Sequence, residues 1–387
     1  MNSAIEESTS DTKRPGCGDV RNDSARHSSG SKVSDKRVAF FGFYGRHNFG
    51  DDLFGFLLQG ICRTHAGIRP VIVGASAQIE LVDAFHVPIA RSLWNRPGFV
   101  GAAARASTYL AAIFKCDVAI FGGGSLFGAD ASVGFARFVS LWSGLFQKPV
   151  AAIGVSVGPF KTPERKRKFV EIVSRIRYLA VRDHASAQVV SMEIGRTPPN
   201  LGDLAFSLPA IYTPKRTESR PKTLIVAIHL EAYVDVVLAT LSEVDRLGLV
   251  DEVVFLALDD ESVSVTGDIS RLFLPKNVRV SRFTYAHSIT EVIDRIALAS
   301  CVLTSKLHGG IVSYVYNVPT LLFCYQKKCV DFLDDNALPG PRESMPTSED
   351  CIVTVSRMLT SGQNESRFSG AETRLLEFDR FLRSISR

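Results

Sequence analysis

From residue 37 onward the chain alternates short apolar runs with longer stretches of helical periodicity, and no other feature restricts its fold as strongly. The runs "RVAFFGF" (37–43), "PVIVGA" (70–75), "CDVAIFG" (116–122), "PVAAIGVSV" (149–157) and "YLAVRD" (178–183) predict one set of strands. A second set is predicted at "TLIVAIHL" (223–230), "EVVFLAL" (252–258), "VRVSRF" (278–283), "CVLTSKL" (301–307) and "VPTLLFCY" (318–325). The runs of the first set are apolar on both faces, as parallel strands covered by helices on each side must be. Between the sets lies "TPKRTESRPK" (213–222), polar and proline-bearing, which reads as a linker.

The expected organisation is therefore a polar tail over 1–36, an N-terminal α/β domain over 37–212, the linker, a C-terminal α/β domain over 223–347, and two amphipathic helices over 348–387. With 387 residues, two domains match the length. The fold class is α/β, two Rossmann-like parallel-sheet domains facing a cleft, an arrangement that resembles GT-B. The tail has no apolar stretch of signal-peptide type, and no uninterrupted apolar run is long enough to span a bilayer. Seven scattered cysteines without a C-x-x-C pair argue against a disulfide framework or a zinc site and for a reducing cytoplasm. A net charge of +5 without an arginine-aromatic array gives no reason to expect nucleic acid.

Chemistry concentrates where strands end. In "FFGFYGRHNFGDDLFGF" the spacing of Gly45 and Gly50 matches the start of a phosphate loop, but Asp51 and Asp52 stand where Lys and Ser or Thr belong, and two carboxylates repel a triphosphate. The bland account is that both acids complement the dipole of a helix starting there. The functional account has Asn48 and the two acids meeting neutral sugar hydroxyls, one acid serving as a base. "FGGGSLFG" (121–128) is expected to leave the amides of Gly123 and Gly124 bare at a strand's carboxyl end. In "VRDHAS" (181–186), Arg182 is either half of a structural Arg-Asp pair or a planar donor for carboxylate or phosphate, with Asp183 or Ser186 capping the next helix. "LTSKLHGGIVSYV" carries Lys306, Leu307 and His308, then Gly309-Gly310, where the backbone is expected to turn into a helix whose free amides suit an anion. Lys328 follows the next strand and reaches for the same anion, or is a solvated lysine. The run "RKRK" (165–168) is a solvated face or a contact for anionic lipid.

Taken in order, these segments resemble the polysaccharide pyruvyl transferase family. Its pattern G-x-x-G-x-x-N-x-G-D-D/E appears as Gly42, Gly45, Asn48, Gly50, Asp51 and Asp52; its D-x-x-I-x-G-G-G-x-L as Asp117, Ile120, Gly122 to Gly124 and Leu126. The G-P turn is Gly158-Pro159, V-R-D/E-x-x-S is Val181, Arg182, Asp183 and Ser186, R-L-H-x-x-I is Lys306, Leu307, His308 and Ile311, and Y-x-x-K is Tyr325 and Lys328. The resemblance implies transfer of a pyruvyl group from phosphoenolpyruvate to two hydroxyls of a sugar, making a cyclic ketal on a polysaccharide or its lipid-linked oligosaccharide precursor. It implies phosphoenolpyruvate as co-substrate and no other cofactor or metal, with the sugar on the N-terminal domain and the donor on the C-terminal one. His308 becomes the general acid, Asp51 or Asp52 the base, and Arg182, Lys306, Leu307, Gly309 and Lys328 the donor's binding residues, with Asn48, Gly123 and Gly124 completing the site. Lys306 stands where the family has arginine, a point charge in place of a two-pronged donor. A helix start lowers a histidine's pKa and a bound phosphate raises it, so the donor is expected to keep His308 protonated. The alternatives are a GT-B glycosyltransferase using a nucleotide sugar and a non-catalytic sugar-binding protein. A cytoplasmic protein, peripheral at the membrane where the acceptor is lipid-linked, completes the expectation; the oligomeric state is open.

Overall fold

The structure is a computed structural model and describes residues 36–64, 68–75, 80–129, 131–215, 221–286, 288–361 and 367–386. The tail expected over 1–36 lies outside the described residues but for Lys36, as do 216–220 of the expected linker.

The N-terminal half runs β1 (Lys36–Phe41), α1 (Phe49–Thr64), β2 (Ile68–Val73), β3 (Ala84–Phe85), α2 (Pro88–Arg91), α3 (Gly98–Lys115), β4 (Val118–Phe127), α4 (Val133–Leu145), β5 (Val150–Val157), α5 (Pro163–Ser174), β6 (Tyr178–Val181) and α6 (His184–Ile194). Its strands form a six-stranded sheet in the order β3-β2-β1-β4-β5-β6. After a 3-10 turn at Leu204–Ser207 and α7 (Leu208–Ile211), the C-terminal half runs β7 (Thr223–Ala227), α8 (Val234–Arg246), β8 (Glu252–Ala257), α9 (Asp260–Leu272), β9 (Arg279–Thr284), α10 (Ile289–Ala297), β10 (Cys301–Thr304), α11 (Leu307–Val315), β11 (Thr320–Leu322) and α12 (Lys327–Asp335). Its five strands are ordered β11-β10-β7-β8-β9. Two helices close the chain, α13 (Ser348–Ser361) and α14 (Ala371–Ser386). Every pairing within the two sheets is parallel, and the helices between successive strands cross back over a face and cover it.

The core follows from this layering. α3, α4 and α5 pack against one face of the first sheet through Tyr109, Ala112, Val139 and Phe169, and α8 and α9 cover a face of the second through Val237, Leu241 and Ile269. The remaining faces share one continuous apolar cluster: Phe54, Leu57 and Leu58 of α1 lie in it with Ile289 and Ile293 of α10, Ile311 of α11, and Leu375, Phe378 and Leu382 of α14. α14 follows the second sheet in sequence yet packs on the 3-10 turn at Leu204–Ser207 at the end of the first half.

Two expectations of local structure are corrected. The glycines of "FGGGSLF" do not end a strand; β4 continues through them to Phe127, with a register shift against β5 between Gly124 and Phe127. Gly123 and Gly124 hold left-handed φ of 73° and 81°, so they bend the strand without interrupting it. Gly309 and Gly310 are not a turn either. α11 begins at Leu307, and the two glycines sit in its first turn, Gly309 packed on Thr304 too closely for a larger side chain and Gly310 tight against Leu322.

A cleft built by two helix starts and a strand end

The glycine loop and the start of α1 are locked before any ligand is considered. The side-chain oxygen of Asn48 accepts from the amides of Gly50 (3.0 Å) and Asp51 (3.3 Å), which makes Asn48 the cap of α1. The amide of Phe49 donates across the halves to the Leu258 carbonyl (3.0 Å), and Asn48 bridges to Asp259. The amide of Asp52 bonds the Asn48 carbonyl. With its first amides spent inside the protein, α1 has no donors left for an anion; what persists is its dipole, which favours the acids that sit there.

Those acids differ. Asp52 is fully buried, its Oδ1 accepting from the Gly45 amide (2.6 Å) and its Oδ2 from the Tyr285 hydroxyl (2.7 Å). It faces away from the cleft and ties the loop to the second half. Asp51 lines the cleft, with Oδ1 alongside Gly124. Burial, and then the neighbouring Asp52, push its pKa up to about 7 against the pull of Arg46, Arg182 and Lys328.

His308 projects from the first turn of α11 into this corner. Its ring lies so close to the Gly50 backbone that a Cβ there would meet Nδ1 at 1.9 Å, and its edge contacts the Phe54 ring with centroids 4.9 Å apart. Nε2 is enclosed and has no hydrogen-bond partner among the described residues. Burial, and then Arg182, Lys328 and Lys306, lower its pKa to about 3, so the protein by itself holds a neutral imidazole here at pH 7. The amides of Leu307, His308 and Gly309 open α11 ahead of its first internal bond, from the Gly310 amide to the Lys306 carbonyl.

The cations come from both halves. Arg182, at the end of β6, is almost fully buried; it donates to Ser125 Oγ (3.2 Å) and lies 3.4 Å from Asp203 and 3.5 Å from Asp183. Asp183 caps α6 through the Ser186 amide (2.7 Å), and the Ser186 hydroxyl accepts from the Val157 amide (2.9 Å). Lys306 is held by Asp259, with Glu261 at 3.6 Å. Lys328, at the start of α12, lies over the Tyr325 ring at 5.8 Å.

Together these groups line a cleft of about 730 Å³ between the halves. Of the residues singled out in the sequence, Asn48, Asp51, Gly124, Arg182, Lys306, Leu307, His308 and Lys328 border it. Asp52, Gly123 and Gly309 do not: Asp52 for the reason above, Gly123 because it lies beneath Phe54 and Leu204, and Gly309 because it packs on Thr304. The sequence reading missed Ser125, Asp203 and Asp259, which hold the cations, and His229. That histidine is buried beyond β7 with Nδ1 2.6 Å from Ser305 Oγ, and its pKa is lowered to about 4 by burial and then by Lys306. Asp259 and His229 both follow a strand's carboxyl end, the signal that drew attention to Arg182.

Among the described residues no group of His, Cys, Asp and Glu is arranged to hold a metal ion, and no helix is long and apolar enough to cross a membrane. The fold is GT-B-like. It is similar to a protein of Listeria monocytogenes described as a UDP-N-acetylglucosamine 2-epimerase (TM-score 0.63, 11% identity, covering 91% of this chain and 96% of that one). Similar too are the UDP-GlcNAc 2-epimerases of Methanocaldococcus jannaschii (0.59, 12%, 90% and 99%) and of Neisseria meningitidis (0.56, 11%, 90% and 100%). At such identities the likeness concerns the fold alone. No curated protein sequence matches the chain. The model of one family, polysaccharide pyruvyl transferase, matches residues 48–326, which contain both the glycine loop's Asn48 and the His308 helix, and the chain belongs to that family.

Proposed function

We propose that the protein transfers the pyruvyl group of phosphoenolpyruvate onto two hydroxyls of a sugar in a polysaccharide or its lipid-linked precursor, forming a cyclic ketal and releasing phosphate. One observation carries the reading beyond family membership: His308, whose Nε2 has no partner among the described residues, borders a cleft that has a carboxyl group poised near neutrality on one wall and three cations around it. In this reading the donor's carboxylate and phosphate lie toward Arg182, Lys306, Lys328 and the first amides of α11. Their negative charge offsets the cations that depress the His308 pKa, and the imidazole takes up a proton as the donor arrives. His308 then protonates the methylene carbon, the acceptor's first hydroxyl attacks the carbon bearing the phosphate, and Asp51 takes the hydroxyl's proton. As the second hydroxyl closes the ketal, phosphate departs with one hydroxyl proton, while the other restores the proton spent on the new methyl group. Asn48 is a cap and Asp52 a tie, so neither receives a chemical role. Phosphoenolpyruvate is a cytosolic metabolite, which places the reaction in the cytoplasm.

The same electrostatics support a second assignment of the acid. Asp51, with its pKa near 7, holds a proton more readily than His308, and pairs whose pKa values are driven apart commonly divide acid from base. Deuterium entering the methylene group of recovered phosphoenolpyruvate in D2O reports the acid alone. The variant lacking the acid loses this exchange and the variant lacking the base keeps it. His308→Gln is expected to fold normally, to lose phosphate release by about 100-fold or more, and to lose the exchange. Exchange kept by His308→Gln and lost by Asp51→Asn reverses the roles. Radiolabel from phosphoenolpyruvate in a sugar product separates the reading from a nucleotide-sugar glycosyltransferase. Oligosaccharide binding without phosphate release favours a non-catalytic protein.

A further inference from the structure

We propose that the outer face of α3 and α4 is a docking surface for a membrane rich in anionic lipid. The two helices lie side by side on the first sheet, with the rings of Phe114 and Phe146 5.9 Å apart where they meet. Surface helices normally turn charges outward, but the outward stripe of α3 reads Phe99, Ala103, Ser107, Leu110 and Phe114, spaced as one helical face. Phe99 is 87% exposed, Phe114 70%, and Leu141 and Leu145 on α4 are 60% and 66%. So many bulky apolar tips on adjoining helices mark a contact site.

Charge selects the occupant. Residues 84–116 contain Arg91, Arg96, Arg105 and Lys115 and no carboxylate; residues 131–148 contain Arg137 and Lys148 and again none. The next helix on the same side of the sheet, α5, carries the run Arg165 to Lys168, in which Lys166 and Lys168 pair with Glu193 and Glu164, Arg165 donates to the carbonyls of Ala129 and Ala131, and Arg167 is exposed. A second copy seated on this face by a two-fold axis would bring two sets of cations together. Anionic headgroups meet the cations while the aromatic and leucine tips enter the acyl boundary.

Asn95, in the turn leading into α3, donates from Nδ2 to the Gly45 carbonyl at 3.4 Å, which ties this helix to the glycine loop whose Asn48 and Gly50 border the cleft. A protein seated here holds the acceptor loop at the lipid surface, which suits a lipid-carried sugar. This last step rests on the pyruvyl-transfer reading, whereas the docking does not.

Flotation of the full chain with phosphatidylcholine vesicles, with and without phosphatidylglycerol, tests it. The protein is expected to float with the anionic vesicles and not with the neutral ones, and to lose about 10-fold or more of that binding in high salt and in Phe99→Ser/Phe114→Ser. Leu141→Ser/Leu145→Ser serves as the second variant should the first misfold. Both are expected to release phosphate from phosphoenolpyruvate at the wild-type rate with a water-soluble acceptor. Failure to float with anionic vesicles, unchanged binding by the folded variants, or a dimer in sedimentation that the same variants dissolve overturns the proposal. Vesicle binding by a protein that never turns over phosphoenolpyruvate overturns the functional reading and leaves the docking surface standing.

Discussion

Asp51 and Asp52 are adjacent, have the same side chain and share a helical turn, yet their surroundings assign them different work. Asp52 accepts from Gly45 and Tyr285, so Asp52→Ala leaves a buried amide and a buried hydroxyl unpartnered and is expected to cost about 1–3 kcal/mol in denaturant unfolding. Asp51→Asn is expected to keep or raise stability while losing turnover by about 100-fold or more. The pH dependence has a definite sign. The Asp51 pKa rises from 3.8 unfolded to about 7 folded, so the folded state binds the extra proton between those values, and its contribution is lost as pH rises from about 4 to about 7. Melting temperatures of wild type and Asp51→Asn are therefore expected to diverge in favour of the variant between pH 4 and 7. Parallel curves would show that Asp51 carries no such shift. The sequence reading found the acidic pair and left its members unresolved, because Tyr285, which separates them, is 233 residues from Asp52 and no local pattern points to it.

At the scale of elements, glycine sets how closely helices and strands approach. Gly50 lets the His308 ring rest on the backbone of α1; in Gly50→Ala the new methyl group meets Nδ1. That variant is expected to lose about 1–3 kcal/mol of stability and most of its activity, the imidazole being displaced, with thermal melting and phosphate release as the measurements. Wild-type activity in Gly50→Ala would remove His308 from the chemistry. Most of the longer strands were legible because they are apolar runs bounded by polar or turn residues, as buried parallel strands must be; β9, an exposed edge strand with two arginines, shows only alternation. β3, with two residues at the sheet edge, is too short to leave such a pattern. "KLHGG" was misread because a glycine required by packing, here against Thr304 and Leu322, looks in sequence like a glycine required by a turn; "FGGGSLF" was misread because its left-handed glycines bend a strand and do not end it.

At the scale of the molecule, the two halves are joined through their cores and around the cleft rim. Glu80 of the first half accepts from the Ile289 amide (2.8 Å), Ser288 Oγ (2.7 Å) and Thr290 Oγ1 (2.8 Å), capping α10 of the second. Glu80→Ala is expected to lower stability by about 1–3 kcal/mol while calorimetry still shows one transition, because the apolar cluster of α1, α10 and α14 runs through both halves. Two separate transitions would contradict a shared core. The paired sheets and the cleft were readable from the two sets of strands and the motifs at their ends. The strapping of α14 across the first half was not, since an amphipathic helix announces that it packs without saying on what. That strap has a consequence for biosynthesis. While the ribosome still holds residues 375–385, Leu204 and Phe206 lack the cover that α14 gives them, so a nascent chain keeps part of its first half open to chaperones and proteases until α14 emerges.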